Sequence, residues 1–89
     1  MVKLKDGREA ELELFKFDSC PFCQRVYGTI RKLGVWDDIR MRDTISEPGA
    51  NEELIQRGGK RQVPCLFVDG EPMYESAEIS RWLEQNVAG

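Results

Sequence analysis

The stretch Phe17-Asp18-Ser19-Cys20-Pro21-Phe22-Cys23-Gln24 lies where a short apolar run gives way to a helical pattern of hydrophobic residues. Two cysteines separated by two residues at a strand–helix junction are typical of a dithiol/disulfide redox pair. Pro21 suits the first position of a helix, where an N–H is not needed. The free N–H groups and the dipole at that end of a helix stabilise an anion. We therefore expect Cys20 to be the nucleophile and Cys23 to resolve a mixed disulfide.

The same two cysteines allow a structural interpretation, as half of a zinc site or as ordinary core residues. A closed zinc site needs four nitrogen or sulfur ligands, whereas the chain has three cysteines and no histidine. The composition therefore favours redox chemistry, and we expect no metal.

Chain length and net charge reduce the number of function classes to consider. Eighty-nine residues predict one domain, and 13 basic against 16 acidic residues give a net charge of −3, which argues against a nucleic-acid partner. No apolar run is long enough to cross a membrane. Charged residues interrupt residues 1–10 too early for a signal peptide, so we expect a cytoplasmic location, where thiols stay reduced.

Residues 1–10 predict a flexible lead-in with at most a short edge strand, followed by a single domain over 11–89. Within that domain, hydrophobic periodicity and turn residues predict strands at 11–17, 39–43, 62–68 and 71–74 and helices at 21–33, 51–57 and about 77–86. We expect Asn51 and Ser76 to cap the second and third helices, and Leu54 and Ile55 to face inward. The first strand, helix and strand imply a parallel pair.

The β-α-β-α-β-β-α order, the Cys20-Pro21-Phe22-Cys23 turn, Val63-Pro64 at the third strand and Glu75-Ser76 before the last helix together resemble the glutaredoxin family. The resemblance runs from about Leu12 to Asn86. It implies an α/β, thioredoxin-like fold with a four-stranded mixed sheet flanked by three helices. It also implies a monomeric, glutathione-dependent thiol–disulfide oxidoreductase that reduces glutathione mixed disulfides and some protein disulfides, with glutathione as co-substrate.

The resemblance further implies roles for residues outside the cysteine turn. Pro64 would be a cis-proline beside the cysteines, leaving the backbone of Val63 free to pair with extended glutathione. Glu75 and Ser76 fall where related proteins bind the γ-glutamyl end. Without the cysteine motif, a surface acid at Glu75 and a helix cap at Ser76 would be the preferred interpretation. The weaker candidates, for the glycyl carboxylate, are Gln62, Asn51, Lys60 and Arg61.

Two departures from the glutaredoxin pattern open alternatives. Many glutaredoxins carry a lysine where this chain has Phe17, and Lys16 should point the other way because strand side chains alternate. The residues around Cys20 and Glu75 are closer to the N-terminal domain of glutathione-transferase-like proteins, which add a helical second domain. A glutathione-binding module with little turnover is therefore an alternative. An iron–sulfur cluster carrier is another, although members devoted to that task usually have glycine where Pro21 stands.

Cys65, directly after Pro64, is expected to lie close to the redox pair in space. A third thiol there would be a site of oxidation or glutathionylation. Buried cysteine is also a common small core residue, and we favour that interpretation.

Overall fold

A computed structural model describes residues 1–88. Its elements are β1 (Val2–Lys3), β2 (Glu9–Ala10), β3 (Leu12–Lys16), α1 (Pro21–Leu33), a 3₁₀ turn (Trp36–Asp38), β4 (Arg40–Asp43), α2 (Ala50–Gly58), β5 (Cys65–Val68), β6 (Glu71–Met73) and α3 (Ser76–Asn86). From β3 onward this is the β-α-β-α-β-β-α order that the sequence predicts. In this part of the chain, none of the helices has the length and apolar character needed to cross a membrane.

The central sheet has four strands in the order β4-β3-β5-β6. Strand β3 runs parallel to β4 and antiparallel to β5, and β6 returns antiparallel to β5. Strands β3 and β4 are parallel because α1 carries the chain back across the sheet between them. The predicted mixed sheet and fold class are confirmed, and β3 takes the central position that leads directly into the cysteine turn.

Side chains of β3 alternate between two hydrophobic cores, one on each face of the sheet. Leu12 and Leu14 belong to the large core under α1 and α3, whereas Phe15 belongs to the small core under α2. The large core includes Cys20, Cys23, Val26, Tyr27, Ile30, Leu66, Ile79 and Leu83. The small core consists of Phe15, Ala50, Leu54, Cys65 and Phe67. The two faces therefore differ in size and in the elements that cover them.

Residues 2–10 form a two-stranded antiparallel ribbon where the sequence predicts a flexible lead-in with at most a short edge strand. Val2 and Ala10 are buried, and Leu4 bridges to Val87 after the last helix. The apolar residues Val2 and Leu4 are spaced two apart, so one face of the ribbon can pack on the large core while Lys3, between them, faces solvent.

Helix α1 begins and ends where the sequence predicts. Pro21 is its first residue, and Gly34 ends it in the left-handed conformation at φ 73°. That conformation suits glycine, and it lets the Gly34 N–H donate to the carbonyl oxygens of Ile30 and Arg31. Pro21 and Gly34 thus fix the two ends of the helix that follows Cys20.

Helix α2 corrects two predictions. It begins at Ala50 with Gly49 (φ 83°) in the cap position, so Asn51 is already inside the helix and does not cap it. Ile55 is 41% exposed rather than inward. Ala50 and Leu54, four residues apart, form the buried stripe, and Ile55 lies about 100° around the helix from Leu54.

Candidate functional site

Cys20 occupies the cap position of α1, in extended backbone conformation, at the end of the chain segment that leaves β3. The Gln24 N–H donates to the Cys20 carbonyl oxygen at 3.0 Å, which forms the first turn of the helix. Cys20 keeps 6% of its surface exposed, whereas Cys23 is fully buried in the large core. Both are free thiols. Both cysteines are thus buried, and Cys20 is the less completely buried of the predicted pair.

Burial raises the pKa of the Cys23 thiol to about 12, and its side-chain hydrogen bond with Cys20 acts in the same direction. A backbone hydrogen bond at Phe17 opposes this shift but does not overcome it. Cys23 therefore keeps its proton at neutral pH. The two thiols, three residues apart in sequence, occupy unequal environments.

Asp18 fixes the loop that delivers Cys20. Its carboxylate accepts hydrogen bonds from the Tyr27 hydroxyl at 2.8 Å and from Lys16 Nζ at 3.0 Å. Both bonds hold the pKa of Asp18 below its usual range. Its carbonyl oxygen accepts a 2.6 Å bond from Gln24 Nε2. This network is not among the contacts predicted from the sequence, although the three-residue spacing of Gln24 and Tyr27 places both on one face of α1.

Lys16 lies on the cysteine side of the sheet, which contradicts the prediction that it points away. Its ammonium lies 5.8 Å from the centre of the Tyr27 ring and contacts Asp18 and, at 3.4 Å, Asp43. It shares the α1 face with Leu14, because the two are spaced two apart along β3. Phe17 follows the last residue of β3, so strand alternation does not extend to it. A cation therefore lies behind the cysteine turn, shared between two carboxylates.

A cavity of about 280 Å³ opens beside the cysteine turn, and we call it the Ser76 cavity. It is lined by Phe22, Gln62, Val63, Pro64, Tyr74, Glu75 and Ser76. The structure thus brings together all four residues predicted to bind glutathione, together with Pro64. Phe22, from inside the two-cysteine motif, is 57% exposed and joins this lining to the turn.

The peptide bond between Val63 and Pro64 is cis, as the resemblance implies. Strand β5 begins at Cys65, later than predicted, and its pairing with β3 reaches only that residue. Val63 therefore lies outside the paired part of β5, at the border of the Ser76 cavity.

Ser76 is the first residue of α3 and Glu75 takes the cap position, so the prediction that Ser76 caps this helix is wrong. The helix begins one residue earlier than expected because Glu75 already has the extended conformation of a cap residue. Ser76 is buried and Glu75 is exposed. The unpaired N–H groups of the first turn of α3 therefore begin at the cavity.

A second cavity of about 330 Å³, the Ile45 cavity, adjoins the first. It is lined by Phe17, Thr44, Ile45, Asn51, Arg61 and Val63. Val63 borders both cavities and so joins them. The weaker glycyl candidates separate accordingly, with Asn51 and Arg61 in the Ile45 cavity and Gln62 in the Ser76 cavity. Lys60 lies instead with its ammonium 5.3 Å from the centre of the Tyr74 ring.

Cys65 lies in the small core, on the opposite face of the sheet from Cys20 and Cys23. It stands opposite Phe15 in the sheet and shares that residue's face, so the predicted proximity to the redox pair is wrong. The interpretation as a buried core residue is confirmed, and burial raises the pKa of its thiol to about 11. Within residues 1–88, no group of three or more Cys, Asp or Glu side chains is placed to hold a metal ion.

Comparisons with known proteins give two related groups. The sequence model of the family described as glutathione S-transferase, N-terminal domain, matches residues 19–86. Glutaredoxin 3 of Escherichia coli K12 is 27% identical over 62 residues, which cover 70% of this chain and 72% of the relative. A probable glutaredoxin of Synechocystis is 33% identical over 61 residues, 67% of each chain.

Solved structures include the same fold as part of a larger protein. The glutathione transferase Omega 3C of Trametes versicolor superposes with a TM-score of 0.70 at 22% identity. The match covers 86% of this chain and 34% of the transferase. The chain thus spans about a third of that protein's length.

Proposed function

The chain belongs to the family of glutathione S-transferase N-terminal domains and has glutaredoxins among its relatives, and on that premise we propose that it is a glutathione-dependent thiol–disulfide oxidoreductase. Its substrates would be glutathione mixed disulfides and some protein disulfides. One observation carries the proposal: the Cys20 turn opens beside a cavity formed by Val63, Glu75 and Ser76. The reductant would be glutathione, and we also propose that the protein works as a monomer in the cytoplasm.

Glutathione would lie extended across both cavities. The γ-glutamyl carboxylate would meet the N-terminus of α3 at Ser76, and the carboxylate of Glu75 would face the ammonium. The cysteinyl backbone would pair with Val63, outside the paired part of β5. The glycyl carboxylate would reach Arg61 in the Ile45 cavity. Arg57 is not available for this role because it is paired with Glu13 and Glu53.

The reaction begins when the Cys20 thiolate attacks the glutathione sulfur of a mixed disulfide. The old S–S bond breaks, a disulfide between Cys20 and glutathione forms, and the substrate leaves as a thiolate that takes a proton from solvent. A second glutathione thiolate then attacks the bound glutathione sulfur, which releases glutathione disulfide and restores the Cys20 thiolate. These two exchanges balance and need no other reductant.

Cys23 offers a second route, in which its thiolate attacks Cys20 and expels glutathione. The pKa of about 12 for Cys23 keeps its thiolate scarce at neutral pH. We therefore propose that the route through Cys20 alone carries most turnover of small mixed disulfides. The disulfide between the two cysteines would form mainly with protein disulfide substrates.

The test is glutathione-dependent reduction of a small glutathione mixed disulfide by wild type, Cys20→Ser and Cys23→Ser. Cys20→Ser should abolish activity, and Cys23→Ser should retain it. Cys65→Ala is the matched control, because this thiol is buried on the other face of the sheet. A folded wild type with intact thiols and no activity would contradict the proposal, as would an active Cys20→Ser variant.

A glutathione-binding module with little turnover is the second candidate, and the family match over residues 19–86 favours it. Titration calorimetry with reduced glutathione separates the two candidates. Binding without disulfide reduction would identify the module, whereas binding accompanied by turnover that depends on Cys20 would identify the oxidoreductase.

A further inference from the structure

Tyr74 connects the Ser76 cavity to the backbone of Lys60. It follows β6 and lines the cavity with its ring. Its hydroxyl accepts a hydrogen bond from the Lys60 N–H and donates one to the Lys60 carbonyl oxygen, each at 3.3 Å. The Lys60 ammonium lies 5.3 Å from the ring centre. One side chain therefore contacts this residue through its N–H, its carbonyl and its charge.

Gly58, the last residue of α2, leaves the space that the Tyr74 hydroxyl fills. A β-carbon at Gly58 would overlap the hydroxyl oxygen and lie 3.0 Å from Tyr74 Cζ. Gly59 has a positive φ of 86°, whereas Gly58 has helical backbone that any residue adopts. The close approach of Tyr74, rather than backbone conformation, therefore requires glycine at position 58.

The segment between α2 and β5 contributes residues to the lining of both cavities: Arg61 to the Ile45 cavity, Gln62 and Pro64 to the Ser76 cavity, and Val63 to both. Arg61, Gln62, Val63 and Pro64 follow one another there without helix or strand. Strand β5 holds the segment at one end, and the contact between Tyr74 and Lys60 holds it at the other. Releasing Lys60 would give residues 60–63 freedom that a ligand must remove on binding.

We propose that Tyr74 is a positioning residue that sets the affinity for glutathione by holding Lys60 and, through it, Val63. The inference deepens the proposed function and rests on it. The Tyr74 hydroxyl is bonded to Lys60 rather than to the cysteine turn, which α1 and Asp18 hold separately. Loss of the hydroxyl should therefore weaken binding and leave the exchange step at Cys20 unchanged.

Tyr74→Phe tests the proposal because it removes the hydroxyl and keeps the ring. We expect the KM for a glutathione mixed disulfide and the Kd for glutathione to rise about three- to tenfold, the usual effect of losing such hydrogen bonds. The kcat should stay within about twofold, because the ground state and the transition state of the exchange lose the same binding free energy. Asn86→Ala is the control: it removes a side-chain hydrogen bond to the Trp82 carbonyl oxygen at the end of α3 away from the Ser76 cavity, and it should leave the Kd for glutathione unchanged.

Gly58→Ala should raise the same KM by pushing the Tyr74 hydroxyl away from Lys60. In Gly58→Ala/Tyr74→Phe the closest clash is gone, so the double variant should be no weaker than Tyr74→Phe alone. Such non-additivity is expected only if both changes act through one contact. Additive losses would contradict the proposal.

An unchanged KM and Kd in Tyr74→Phe, or a fall in kcat alone, would overturn the inference. A wild type that neither binds nor turns over glutathione would overturn the proposed function instead. Amide hydrogen exchange of residues 60–63 separates the two cases, because it needs no ligand. Faster exchange in Tyr74→Phe than in wild type would support the positioning role, and equal rates would refute it.

Discussion

The hydrophobic cores on the two faces of the sheet are shielded from solvent in different ways. The large core under α1 and α3 is closed almost entirely by apolar side chains, and it contains the two thiols of the cysteine turn. The small core under α2 has only five buried members and is closed by ions. The two thiols and the arginine–carboxylate network thus lie on opposite faces.

Arg42 is the centre of the ionic closure. Its guanidinium donates to Glu13, which is buried beside it, and makes two 2.9 Å bonds with Glu53 of α2. It also lies 5.1 Å from the centre of the Phe15 ring. Arg57 bonds to Glu13 at 2.8 Å. The bonds from both arginines lower the pKa of Glu53 to about 2.

The difference between the two cores shows that charged side chains can cover a core where few apolar side chains are at hand. Helix α2 contributes few apolar residues, so planar guanidinium groups stack on the aromatic rings and bond to carboxylates at the same time. On the other face, apolar packing lets burial keep Cys23 protonated. The position of α2 therefore depends on charge pairing, whereas that of α1 depends on hydrophobic burial.

Removing Arg42 should have the largest effect on stability, because it disrupts the ionic network that covers the small core. Arg42→Ala leaves the buried Glu13 with Arg57 as its partner and removes both bonds to Glu53, so it should lower the free energy of unfolding by about 3 kcal/mol, the lower end for breaking a buried pair. Urea denaturation measures the loss. Arg42→Lys, which keeps the charge but loses the paired geometry, should fall between wild type and Arg42→Ala.

Arg40→Ala is the control for the Arg42 variants, because Arg40 is exposed on the same strand. Its effect should stay within about 0.5 kcal/mol. A loss below about 1 kcal/mol for Arg42→Ala would mean that apolar packing also closes the small core, and the contrast between the faces would disappear.

Two glycine-to-alanine changes compare the helices of the two faces directly. Gly58→Ala in α2 meets Tyr74 and should cost about 1–3 kcal/mol of unfolding free energy, as overpacking usually does. Gly28→Ala in α1 meets nothing within 4 Å and should stabilise by up to about 1 kcal/mol. Thermal and urea unfolding of both variants measure the difference, and effects of the same sign would contradict it.

The pH dependence of stability should reveal the buried thiol of the small core. The folded pKa of Cys65, about 11, lies above the ordinary value, so the neutral thiol favours the folded state. Its contribution is complete below about pH 8.5 and is lost as pH rises towards 11. Between pH 8 and 10.5, Tyr74→Phe should lose about 1–2 kcal/mol more unfolding free energy than Cys65→Ala/Tyr74→Phe.

Only the slopes of the two stability curves are compared, because Cys65→Ala also changes packing at every pH. Cys23 titrates in both proteins and cancels in the difference. Both proteins carry Tyr74→Phe in this comparison, because burial and the neighbouring Cys65 thiol raise the pKa of Tyr74. Parallel curves would show that Cys65 ionises as easily in the fold as in the unfolded chain, so that the small core does not exclude charge from this site.

The sequence predicts those features of the fold that depend on the conformational preferences of single residues, such as the ends of helices. Pro21 and Gly34 mark the ends of α1 because each suits one backbone conformation. Contacts between strands were not predictable in this way. Lys16 and Cys65 were assigned to the wrong side or neighbourhood because their positions depend on where β3 ends and how β5 registers with it.

In the candidate site, too, some features are predictable from the sequence and others depend on contacts between separate elements. The resemblance brought Gln62, Val63, Glu75 and Ser76 together because their spacing follows a known order of elements. The roles of Asp18, Tyr74 and the Ile45 cavity were missed, because each depends on side chains from separate elements that meet only in the folded molecule. The pairing of Glu13 with Arg42 was missed for the same reason.

The run Arg57-Gly58-Gly59-Lys60-Arg61 has three cations in five residues. In the fold, each of the three contacts different groups. Arg57 is neutralised by Glu13 and Glu53, Lys60 lies on Tyr74, and Arg61 faces the Ile45 cavity. Little attractive field therefore extends into solvent from a chain whose net charge is −3. Glutathione is itself an anion, so its encounter rate with the protein should rise slightly with added salt rather than fall. Capture would then depend on short-range contacts after collision, and not on electrostatic steering.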